Sequence, residues 1–375
     1  MPDHRNVAGF LTARVAVNVI VVLTLLVASA SAQTDPKTTM LARAGWDALA
    51  RNQPGEAATA FREAIARDPR NAELHVGAGT AAFLERRDQD ARAALERALG
   101  LDPTLTSARE LLGLVLYRSG DVLAAVRAYE RLPGGPEYEQ ARLRLERWRR
   151  EADLHGRMTS VAGAWFTVSF EGDADAELAA RALASIERAA DRIGLVLSTY
   201  PSQPIPVVLY TSEQFRDITR APIWAGGAYD GTVRVPMRGA LANPQELDRV
   251  LAHEYTHALV HSLAPRNVPA WLHEGLAAAL ETDLNQVNGA ADSEPRPAGA
   301  LAALQTSFGR FTGEQAKLAY ETSARAARQL LDEAGGFAVA NLLRDLGQGV
   351  DFNEAFLHRI QRPFASFEAD LSMPR

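Results

Sequence analysis

The chain of 375 residues has no cysteine, so neither a disulfide nor a thiolate metal site can form. Any metal must be held by histidines and carboxylates. Lysine is nearly absent too, with Lys37 and Lys317 alone, and arginine carries the rest of the positive charge, a bias of composition more than of anion binding. No single sign dominates: the net charge is -6 and the signs are interspersed, which argues against nucleic acid or an anionic membrane as a partner. Long apolar runs are also missing. The longest, Val15 to Val27, falls short of the about 20 residues that a spanning helix needs. With Arg5 and Arg14 before it and Ala30-Ser31-Ala32 after it, residues 1–32 read as a secretory signal cleaved after Ala32. The mature chain is then expected in the periplasm or secreted, with no stable membrane span. Its length and 47% apolar content suit two soluble domains.

What is present first is a period. Gly45, Gly79 and Gly113 are 34 apart, Ala57, Ala91 and Ala125 keep the same spacing, and so do Phe61, Leu95 and Tyr129. Pro69 and Pro103 close the first two units at the matching place. These are the marks of tetratricopeptide repeats, helix pairs that bury their apolar stripes only by stacking. Residues 38–153 are expected to form an α-helical solenoid of about three units. The segment Glu137 to Ala152, with Leu143, Leu145 and Trp148, would cap it. Such a stack offers a groove for a protein or peptide partner, or serves as a spacer that positions the second domain.

Periodicity then changes. Trp165 to Phe170 and Ile205 to Tyr210 read as strands around a helix from Ala176 to Leu197, and Asp230-Gly231 signals a two-residue hairpin. Asn243, Pro244 and Glu246 announce a helix reaching about Ser262, through a capping-box pattern. On that helix His253 and His257 are one turn apart on one face, a spacing by which two imidazoles can hold one Zn²⁺. Glu254 lies beside them. Zinc lowers the pKa of a bound water to about 7, so a neighbouring carboxylate can take its proton and pass it to a leaving amine. A third protein ligand is needed, and Glu274 in Trp271-Leu272-His273-Glu274-Gly275 can supply it from a second helix, Trp271 to about Thr282.

The His-Glu-x-x-His helix followed by a Trp-x-x-Glu-Gly segment resembles the gluzincin, or peptidase MA-like, metallopeptidases over about Trp165 to Phe356. The resemblance implies an α+β thermolysin-like domain, residues 158–362, with a tail at 363–375. It further implies His253, His257 and Glu274 as ligands of one zinc ion and Glu254 as general base and acid. Gly226, Gly227, Ala228 and Tyr229 would form an edge strand for the substrate backbone. Tyr320 is the candidate donor to the oxyanion; its alternative is a core tyrosine. One departure stands out. The carboxylate that such enzymes place four residues after the ligand Glu is Ala278 here, and Glu281 could orient a histidine instead.

Other residues near the motif are read structurally. His261 is expected outside the ligand set, because three residues of one straight helix reach a single ion poorly. His273 should point about 100° away from Glu274. Trp271 reads as a packing anchor between the two metal helices. The function expected is a zinc peptidase whose repeats bind a protein partner or substrate. Alternatives are a non-catalytic protein-binding scaffold with a structural or relic zinc site, and a metal hydrolase acting on another bond.

Overall fold

The computed structural model describes residues 35–172, 176–201, 204–219, 228–236, 243–282, 301–306, 308, 311 and 313–371. Residues 1–32, read as a signal, and Gly226 and Gly227 lie outside them. Two units are separable, one ending at Gly156 and the other beginning at Arg157.

The first unit is a helical tetratricopeptide-like solenoid. Its helices are α1 (Pro36–Ala50), α2 (Pro54–Arg67), α3 (Ala72–Leu84), α4 (Asp88–Leu101), α5 (Thr106–Arg118), α6 (Val122–Tyr129) and α7 (Glu139–His155). Local chemistry starts them: the side chains of Asp35, Asn71 and Asp121 accept from backbone N–H groups of the first turns of α1, α3 and α6. The turns inside successive pairs repeat as backbone geometry. Asn52, Arg86 and Gly120, again 34 apart, all take positive φ, at 58°, 57° and 83°. Packing follows the same period, because the Phe61 ring lies flat against Gly45, where an added Cβ would sit 2.7 Å from it. Phe61, Leu95 and Ala125 are fully buried, each large side chain worth about 1.5–3 kcal/mol of burial. At the end of the stack Trp148 of α7 is 1% exposed and stacks on Tyr117, with ring centroids 4.6 Å apart. That contact closes the apolar face left by the third pair.

The second unit has a mixed sheet and a helical part. Its strands are β1 (Met158–Ala162), β2 (Phe166–Glu171), β3 (Ile205–Tyr210), β4 (Ala228–Tyr229) and β5 (Val233–Pro236). Among the described residues they pair in the order β1-β2-β3-β5-β4, with β2, β3 and β5 parallel and both outer strands antiparallel. The long helix α8 (Ala176–Leu197) crosses between β2 and β3, and the short α9 (Ser212–Thr219) follows β3. Strand β2 buries Phe166, Val168 and Phe170 in alternation, the pattern of a sheet with one covered face. The remaining helices are α10 (Pro244–Leu263), α11 (Ala270–Leu280), α12 (Gly313–Gly347), α13 (Phe352–Ile360) and α14 (Phe364–Leu371).

Two expectations need correction. The hairpin loop has three residues, not two, since Tyr229 pairs with Val233. Gly231 takes φ 113° there, and Asp230 accepts from the Thr232 N–H and pairs with Arg234. The segment 363–375 is no tail through Leu371: it carries α14, whose Phe367 is fully buried. Trp271 stacks on Phe364 at 5.8 Å and Phe367 at 6.5 Å, so it also anchors the carboxy-terminal helices. The helix bearing Tyr320 runs from Gly313 and kinks at Gly335, where φ is 77°.

Candidate metal centre

Helix α10 starts where Asn243 accepts from the Glu246 N–H at 3.3 Å, with Pro244 in the first turn. It is then buried on almost every side from Val250 to Val260. A helix so enclosed would ordinarily be apolar throughout. This one holds His253, Glu254 and His257, which are 6%, 1% and 0% exposed. Polar groups at that depth need partners, and charged ones need them more.

The partners come from α11, which crosses α10 and brings Glu274 to its histidines. Ligand atoms of His253, His257 and Glu274 all lie within 4.8 Å of one another. The His257 Nε2 to Glu274 Oε2 distance is 3.6 Å. His253 Nδ1 meets Glu281 Oε2 at 2.9 Å, and the same oxygen accepts from Arg249 Nη1 at 2.9 Å. Glu281, one residue past the end of α11, thus holds the first histidine, in a role that Ala278 has no group to perform.

The electrostatics of the site are those of a cation pocket. Burial pushes Glu254 well above the usual carboxylate range, and the neighbouring Glu274 adds to the shift, against the opposing charge of Arg249. Burial likewise pushes Glu274 up to about 8. His257 is pushed well down by burial and by His273 and His253. Glu281 differs: burial acts to raise it, but hydrogen bonds and charge from His253 and Arg249 outweigh burial and hold it below its ordinary value. Among the described residues, Glu254 Oε2 and Glu274 Oε2 are buried with no hydrogen-bond partner. Two imidazoles and one carboxylate, with a second carboxylate beside them, fit a zinc ion, whose charge would offset the cost of burying them.

Comparison with known proteins bears on the other unit. Residues 43–106 match the tetratricopeptide-repeat family. The first unit is therefore tetratricopeptide-like. Among solved structures, the chain is similar to the "First TPR of Spaghetti (RPAP3) bound to HSP90 peptide SRMEEVD", at 21% identity, over 31% of this chain and 96% of that one, with a TM-score of 0.29. No curated protein matches the chain.

The remaining candidates fall in different places. Of the proposed substrate strand, Ala228 and Tyr229 form β4 at the outer edge of the sheet. The Tyr229 ring stands edge-on to His261, with centroids 5.8 Å apart, so the third histidine of α10 lies toward that edge strand and outside the ligand cluster. Tyr320 is 5% exposed, and its ring packs edge-on to Phe308 at 5.2 Å, the surroundings of a core tyrosine. His273 belongs nearer the centre than its neighbour relation to Glu274 suggests. Its ring stacks on His257 with centroids 4.5 Å apart, and desolvation with the nearby His253 pushes it down to about 4. The reason is geometric: both residues lie in the first turn of α11, where that helix crosses α10, and 100° around a thin helix leaves both on the half that faces it.

Proposed function

We propose that the second unit is a zinc-dependent peptidase of the gluzincin type, with a thermolysin-like arrangement of its two metal helices. The observation that carries this reading is the buried Glu254 carboxylate, whose Oε2 has no hydrogen-bond partner, beside three converging ligand atoms. A site that only held structure together would have no use for such a base. His253, His257 and Glu274 would hold one zinc ion, which when bound lowers the pKa of water to about 7 and polarises a carbonyl. Glu254, raised in pKa by burial, is suited to take a proton from the attacking water and return it to the leaving nitrogen. Glu281 fixes the His253 ring so that Nε2 is left for the metal. Strand β4, one of the two outer strands among those described, is suited to hydrogen-bond an extended substrate backbone. Tyr320 keeps the proposed oxyanion role only if its hydroxyl reaches out of the core, and Tyr320→Phe tests that on kcat.

The first unit is proposed to bind the protein substrate or a partner protein, since stacked repeats present an extended concave surface. The chain is further proposed to be exported by residues 1–32; among the described residues no helix is long and apolar enough to cross a membrane. The repeat match favours a second reading, a protein-binding scaffold whose zinc site is structural or a relic. Zinc titration of the full chain and of His257→Ala separates the metal site from no site: one zinc per wild-type chain and none in the variant are expected. Equal uptake by both sinks the ligand assignment, whichever function applies.

A further inference from the structure

Two arginines outside the ligand set converge on Glu281. Arg249 stands on α10 one turn before His253. Its guanidinium grips Glu246 through both Nε and Nη2, at 3.0 and 2.7 Å, and gives Nη1 to Glu281 Oε2 at 2.9 Å. Arg192 comes from α8, in a different part of the unit. It donates to the carbonyl of Leu280 at 2.8 Å and to that of Thr282 at 2.9 Å. These are the residues on either side of Glu281. A helix end leaves carbonyls without partners inside the helix, and a guanidinium there satisfies them and complements the helix dipole.

We propose that Arg192 and Arg249 are positioning residues of the zinc site, the first fixing the backbone at Glu281 and the second its carboxylate, so that the His253 ring is locked for metal binding. The proposal rests on the zinc reading of the site. Its logic is a division of labour. A residue just past a helix end is where a chain frays, yet here it must hold an imidazole to within a few tenths of an ångström. Arg192 removes the freedom of the backbone on both sides of Glu281. Arg249 removes the freedom of its side chain, and being itself held by both oxygens of Glu246, it brings a fixed geometry from α10. Glu281 Oε2 then receives His253 Nδ1 from one side and Arg249 Nη1 from the other. The proton stays on Nδ1 and the lone pair on Nε2. Neither arginine touches the metal ligands' donor atoms, and nothing in the short motif on α10 signals them. Lysine at either place would keep the charge but not the paired geometry.

The test is zinc affinity of the full chain by competition with a chelator, with Co²⁺ absorption as a second readout of ligand geometry. Arg192→Gln and Arg249→Gln should each weaken zinc binding by roughly tenfold or more, the range found when outer partners of a ligating histidine are removed. Arg192→Lys and Arg249→Lys should fall between these and wild type, and they serve as well if a glutamine variant fails to fold. In a Glu281→Ala background the same arginine changes should have no further effect on zinc affinity, since the group they position is gone. A purely structural role would instead lower the melting temperature and leave zinc affinity and the Co²⁺ spectrum unmoved, and that result overturns the proposal, as does a loss that persists undiminished in Glu281→Ala. If the wild-type chain takes up no zinc, the zinc reading itself fails and the proposal falls with it, an outcome distinct from the other two.

Discussion

At the residue scale, the site joins groups whose preferred charge states oppose their surroundings. Glu274 is the clearest, moved by burial from the ordinary 4.5 to about 8. In metal-stripped protein its neutral form is favoured by folding, so its contribution to stability is complete below pH 4.5 and is lost as pH rises through 8. Glu254 is shifted in the same direction, whereas His257 and His273 are shifted down and act oppositely as pH falls below their ordinary 6.5. The difference in stability between wild type and Glu274→Gln reports Glu274 together with its effect on the neighbouring Glu254. Denaturant melts without metal should show that difference moving in favour of the variant as pH rises from 4.5 toward 8. A pH-independent difference would mean that Glu274 is not desolvated. The candidate ligand residues are legible because the chemistry proposed for them depends on short spacings along one helix and into the next. Glu281 was legible only as an option, because its bond to His253 depends on where α11 ends relative to α10, and the place of His273 depends on the crossing of the same two helices.

At the element scale, α11, which carries the candidate ligand Glu274, packs on α12 through a contact of backbone with backbone. An added Cβ at Gly275 would press on the Ser323 carbonyl of α12 and lie 3.2 Å from the Ala327 Cβ. No side-chain rotation relieves a backbone clash, so Gly275→Ala must push α11 off α12. It should lower stability by about 1–3 kcal/mol and weaken zinc binding, because Glu274 moves with its helix; unfolding curves and a zinc titration check both, and a neutral effect on the two would show that the helices do not pack this way. The elements that sequence reading found share strong local signals, such as the cap at Asn243, the alternation in β2 and the amphipathic run of α8. Those it missed are of two kinds. Strand β1, Met158 to Ala162, is short and mostly exposed, and gains its structure from pairing with β2. Helix α14 is short, and what fixes it is a distant aromatic cluster, Trp271 with Phe352, Phe356 and Phe364.

At the scale of the molecule, a solenoid with its own core precedes a sheet-and-helix unit with another. The 34-residue period made the first legible, since each unit repeats a small glycine and alanine packed with a large side chain, Phe61, Leu95 or Tyr129. In the second only the metal helices carried a pattern specific enough to suggest chemistry. Under the proposed reading their joint meaning comes down to Glu254, a buried carboxylate that a scaffold would not need. The most direct measurement is the zinc content and the cleavage of an unfolded protein by the full chain and by Glu254→Gln. One zinc is expected in each, with cleavage by the wild type and a loss of at least about a hundredfold in the variant. Equal cleavage by both, or a purified chain without zinc that added zinc cannot occupy, would contradict the peptidase reading.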